Sequence, residues 1–104
     1  MSSLTDGEKR HFEEIFNMRS GYVLDYTDET FGQLFKRHGI DIHSERYKTY
    51  GHSKAKKLRA FWEQEPDEVV ARVMSEILDS YVTQCEIRGR EPDRLRLQKC
   101  REIV

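Results

Sequence analysis

The chain has 104 residues, of which 37% are hydrophobic, 11% aromatic and 36% charged. A single domain of this size buries a core without disulfides or metals, and the aromatic content excludes a disordered chain, which lacks the apolar mass to offset its conformational entropy. The 18 Lys and Arg against 19 Asp and Glu leave a net charge of −1, which excludes binding to nucleic acid through overall basicity and leaves only a local patch for that purpose.

The first residues, Met1-Ser2-Ser3-Leu4-Thr5-Asp6, lack the apolar stretch of a signal peptide. No run approaches the roughly 18 apolar residues of a membrane span. The expectation is a cytoplasmic protein with no membrane partner, in which Cys85 and Cys100 are reduced thiols. Their separation of 15 residues matches no zinc pattern, and buried packing is the reading for both.

Thr5-Asp6-Gly7-Glu8 has the form of a capping box and starts the first predicted helix, with Phe12, Ile15 and Phe16 on one stripe. Asn17 to Gly21 breaks it. Tyr22 to Tyr26 is β-prone but has no partner strand, so it reads as an extended connector pinned by its apolar residues. Thr27 or Asp28 caps a second helix bearing Phe31, Leu34 and Phe35, and Gly39 stops it. His43 to His52 reads as irregular structure or one helical turn.

Ser53 caps a third helix from Lys54 to about Gln64. Its apolar side holds Ala55, Leu58, Phe61 and Trp62, and its outer side is assigned Lys54, Lys56, Lys57 and Arg59. Pro66 ends this helix and suits the first turn of the next. The fourth helix, Asp67 to about Arg88, carries Val69, Val70, Val73, Met74, Ile77, Leu78, Tyr81, Val82 and Cys85 at three- and four-residue spacing. Gly89 stops it, and Pro92-Asp93 opens a last helix with Leu95, Leu97, Cys100 and Ile103. The predicted fold is therefore all-α, a compact bundle of about five helices with a long fourth one. Residues 1–90 form the domain, and residues 91–104 a helical connector toward a C-terminal region.

No catalytic constellation, metal set or cofactor motif stands out. His11, His38, His43 and His52 do not fall at the spacing by which one helix presents metal ligands. Arg37 and His43 superficially match the Arg and His of some all-α ribonucleases, but Gly39, Ile40 and Ile42 favour a helix break between them. There is no P-loop and no Gly-x-Gly-x-x-Gly. One electrostatic feature remains, the basic helix 53–59, where Lys54, Lys56, Lys57 and Arg59 follow His52 and Ser53. Cations at a helix N-terminus oppose the macrodipole by a few tenths of a kcal/mol. They read either as a solvated face or as a surface offered to an acidic protein partner or to nucleic acid.

Tyr22-Val23-Leu24-Asp25, Thr30-Phe31, Gly39-Ile40-Asp41-Ile42 and Gly51-His52-Ser53-Lys54-Ala55 precede Leu58-Arg59-Ala60-Phe61-Trp62 and a long apolar helix. Together they resemble the N-terminal domain of bacterial abortive-infection proteins of the AbiJ type. The resemblance covers roughly residues 5–88 and is most specific from Leu58 to Trp62. It implies a role in phage defence, with this domain sensing a trigger or controlling an all-α, HEPN-like C-terminal effector domain suspected of RNase activity. It transfers no catalytic residue to this chain. The resulting expectation is a regulatory domain that binds a protein or trigger. The alternatives are a nucleic-acid-binding domain using helix 53–59 and a ribonuclease using Arg37 and His43. An apolar side on the last helix would also serve a homo-oligomer.

Overall fold

The computed structural model describes residues 2–104. Among them, five α-helices form an all-α bundle: α1 (Asp6–Ile15), α2 (Asp28–Lys36), α3 (Lys54–Gln64), α4 (Asp67–Ile87) and α5 (Arg94–Ile103). Single 3-10 turns lie at Met18–Ser20 and Glu45–Tyr47. No described helix is long and apolar enough to cross a membrane.

The helix starts follow from side-chain caps. Thr5 accepts from the Glu8 N–H, and the Glu8 carboxylate accepts from the Thr5 N–H, which closes the predicted box. Thr27 begins α2 with the same reciprocal pattern, closed here by the Thr30 hydroxyl. Ser53 and Asp93 cap α3 and α5 by accepting from Lys56 and Arg96 N–H. Pro66 is the N-cap of α4, one position ahead of its first turn. At the other end of α4, Gly89 takes φ +65°. The Arg90 N–H then reaches back to the Cys85 carbonyl at 2.8 Å, satisfying an end that would otherwise fray.

The core is built around α3, which buries six of its 11 residues. On one side Phe61 meets Phe35 edge-on at 5.0 Å, and Phe35 meets Phe31 of the same helix at 5.0 Å. On the other, Trp62 lies 6.1 Å from Phe12 of α1, and its indole N–H points at the Met74 sulfur of α4 at 3.2 Å. The α4 residues Val70, Val73, Met74, Ile77 and Leu78 complete the floor. Val23 anchors the segment between α1 and α2, which turns at Leu24 and Asp25 and so is not the extended connector expected from its β-prone composition. Met18, Ile42 and Tyr47 are also buried, although they lie outside any helical repeat in the sequence.

The terminal helix α5 lies against α1 and α4. Cys100 is fully buried in the common core, and Leu97, Ile103 and Val104 are partly buried against it. Burying one such side chain is worth about 1.5–3 kcal/mol. Deleting residues 90–104 should therefore cost about 4 kcal/mol, a large part of the roughly 5–15 kcal/mol of a typical domain. Chemical unfolding followed by circular dichroism should show a lower midpoint and a lower Tm. An unchanged midpoint would mean that α5 contributes nothing to this core.

Candidate functional site

Residues 52–59 hold the cations singled out from the sequence, and the structure separates them into two groups. His52 and Lys56 are exposed, and neither enters an ion pair among the described residues. Ser53 is the N-cap of α3. The other three cations turn inward, which corrects their assignment to an outer face. Lys54 is only 11% exposed in its side chain, lies 3.5 Å from the Asp28 carboxylate and stands 5.1 Å over the Tyr22 ring. The Arg59 guanidinium donates to Glu13 of α1 at 2.8 Å. Lys57 is 6% exposed, the one charged residue buried with the core among the described residues.

The reason is the helical repeat. Lys57 lies three and four residues before Ala60 and Phe61, and Lys54 lies four and seven before Leu58 and Phe61. Each shares a face with buried side chains. Arg59 likewise sits three residues before Trp62. Their long apolar stems cover the core and their charged heads run along it to partners on neighbouring elements. The repeat was present in the sequence. The buried face is wider than the apolar stripe of Ala55, Leu58, Phe61 and Trp62, and the cations fill its margins.

Lys57 ends on a histidine. Its ammonium donates to His43 Nδ1 at 2.8 Å, and His43 Nε2 lies 2.8 Å from the Asp28 carbonyl. A carbonyl only accepts, so Nε2 carries the ring proton and Nδ1 is the acceptor for Lys57. The His43 ring packs against α2 at Gly32, where a Cβ would come within 3.1 Å of it. Any larger residue at position 32 would push the ring, and Lys57 with it. Burial pushes the Lys57 pKa below its ordinary value. The nearby Asp28 and Asp41 carboxylates oppose this, and Lys48 and Lys54 reinforce it.

Arg37 and His43, the ribonuclease candidates, are held by different partners. Arg37 pairs with Glu76 of α4, and His38 Nε2 reaches the same carboxylate at 3.0 Å. Burial raises the Glu76 pKa, but the hydrogen bonds from Arg37 and His38 outweigh it and leave the carboxyl below its ordinary range. Arg37 and His38 thus tie α2 to α4, while His43 ties the following loop to α2 and α3. Among the described residues no group of three His, Cys, Asp or Glu is arranged to hold a metal ion. Comparisons with protein-family models, curated proteins and solved structures found no match.

Because the folded pKa of Lys57 lies below the ordinary 10.5, the native state binds fewer protons than the unfolded state as pH approaches that value. Stability from this site is therefore lowest at neutral pH and rises with pH toward 10.5. Urea unfolding of the wild type and of Lys57→Met should show their free-energy difference moving in favour of the wild type over that interval. A difference independent of pH would mean that the ammonium is solvated.

Proposed function

We propose that this chain is a regulatory domain that acts by binding a protein partner or trigger, of the kind that stands before the effector in AbiJ-type abortive-infection proteins. The family likeness rests on the sequence segments between Tyr22 and Trp62. The regulatory reading is supported by one observation, the weak attachment of α5. One residue in its ten, Cys100, is buried, against two of ten in α1, three of nine in α2 and six of 21 in α4.

Three polar latches hold the rest of α5. Tyr81 Oη accepts from the Asp93 N–H at 2.8 Å, Arg101 donates to Asp79 at 2.9 Å, and Arg96 lies 3.2 Å from His11 Nδ1. At the corner between α4 and α5, Ile87 and Leu95 are 80% and 83% exposed. An element with few buried apolar contacts opens at lower free energy than the domain as a whole. A partner that binds the open or the closed arrangement better then shifts the balance between them. The nucleic-acid reading is less well supported, because three of the four cations of α3 are engaged within the fold and one exposed lysine, Lys56, remains for phosphate.

Cys100 reports on α5 directly. Burial pushes its thiol up to about 11, so it is unreactive while α5 is docked. Thiol labelling in low denaturant, with peptide mapping to separate Cys100 from Cys85, should show Cys100 reacting through an opening that needs less denaturant than global unfolding. Labelling of Cys100 only in step with global unfolding would defeat the regulatory reading. For the competing reading, a salt titration against RNA and DNA should show at most weak binding, with a slope set by about one phosphate contact. Binding that is lost steeply with salt and abolished by Lys56→Gln would reinstate it.

A further inference from the structure

Three irregularities of the chain meet at one place. Among the described residues the non-glycine positions with positive φ are Asn17, at 53°, and Leu24, at 49°. The buried side-chain atom left without a hydrogen bond, again among the described residues, is Gln84 Oε1. All three residues line the same recess of about 170 Å3 between the end of α1, the segment after it and the last turns of α4. Left-handed backbone at a leucine costs of the order of 1–3 kcal/mol and persists only where the surroundings impose it. A buried amide oxygen with no donor costs a further ~1–3 kcal/mol. Such features gather where a ligand is received.

The lining states what the ligand must be. Ile15, Leu24, Tyr81 and Cys85 form apolar walls. The volume is close to that of an engineered cavity of about 150 Å3 that accepts benzene, so one ring fits. Gln84 lines the recess with its Oε1 closed to solvent, so a ligand N–H or O–H reaches that oxygen once the side chain turns toward the recess. At the rim, Arg88 and Arg90 bring two guanidiniums against the single carboxylate of Asp25. Arg88 stands 3.7 Å from Asp25 with both side chains well exposed, a pair of little strength, and Arg90 has no ion pair among the described residues. A carboxylate or a phosphate is what a guanidinium holds best, through paired N–H donors.

We infer that this recess binds a small ring-bearing organic anion. Its ring lies between Leu24 and Tyr81, a ring N–H or amino group donates to Gln84 Oε1, and its acidic group is held by Arg88 and Arg90. The site does not depend on the regulatory reading and stands if that reading falls. Two sources supply such an acidic group, a ring carboxylate and a mononucleotide. Para-aminobenzoate and cytidine monophosphate each carry one ring with an amino donor and so separate the two sources.

Calorimetric titration of the full chain, with amide NMR to locate the perturbation, tests the site. One of the two probes should bind in the micromolar to low-millimolar range and move the Gln84 side-chain resonances. Binding of para-aminobenzoate alone assigns a carboxylate ligand, and binding of cytidine monophosphate alone assigns a nucleotide. Gln84→Leu should weaken binding about tenfold, the worth of one buried hydrogen bond, while leaving the Tm unchanged or raised because the orphan oxygen is gone. Arg90→Glu should weaken it further at low salt, with the difference shrinking as salt is added. Absence of binding by both probes at millimolar concentration would overturn the proposal, as would undiminished affinity in Gln84→Leu.

Discussion

The rest of the structure depends on the burial of α3. A helix of 11 residues that carries four cations is surrounded by α1, α2, α4 and the turn at Glu45–Tyr47, and it buries more than half its residues. Phe61 and Trp62 are adjacent in sequence and point about 100° apart around the helix. One joins the aromatic group of α2, and the other joins α1 to α4. Large aromatic side chains supply most of the apolar area in a domain this small. Losing either ring would separate two of the layers that hold the bundle together.

The charges of α3 are consequences of that burial. A cation on a helix enclosed on most sides must either be desolvated or run along its stem to a partner, and an unpaired buried charge is costly. Lys54 and Arg59 take the second course, to Asp28 and Glu13. Lys57 takes the first and is accommodated by the uncharged face of His43. A histidine nitrogen is a weaker partner than a carboxylate, yet it accepts the ammonium without requiring a second ion to be buried beside it. Gly32 makes room for that ring. Three elements, α2, α3 and the loop that carries His43, are thus tied through one buried lysine, and a run of basic residues that resembles a binding surface is in large part internal structure.

The number, order and bounds of the helices were legible in the sequence because caps, stops and apolar spacing agreed at each element. Thr5 with Glu8, Ser53 and Gly89 mark their ends as their chemistry requires. The inward lysines were legible only in principle, since their three- and four-residue spacing to Phe61 and Ala60 was outweighed by their charge. Ile42 and Tyr47 were not legible at all. They are buried by tertiary packing of a loop, where no local period reports the buried side. The recess was hidden for a related reason. Gln84 lies 60 residues beyond Leu24, and it, Asn17 and Leu24 are each ordinary until the fold places them together. The positive φ of Leu24 in particular opposes the local preference of a leucine.

The recess and α5 share one residue. Tyr81 forms a wall of the recess, and its hydroxyl accepts the Asp93 N–H at the start of α5. Arg88 and Arg90 flank Gly89, the left-handed residue at which the chain turns from α4 toward α5. The turn that carries Leu24 is itself fastened to α4, since Tyr26 Oη and Ser80 Oγ are 2.7 Å apart. Occupancy of the recess would therefore bear on the tyrosine that latches α5 and on the turn about which α5 would move. By linkage, any ligand that favours the docked helix must bind more weakly when the helix is released, and by the same factor. The latch is a single hydrogen bond with a net worth of about 1 kcal/mol. Through this contact alone the coupling is limited to roughly five- to tenfold, a modest shift against the packing of Cys100, Leu97, Ile103 and Val104 on the core and too little to unfold the bundle beneath it.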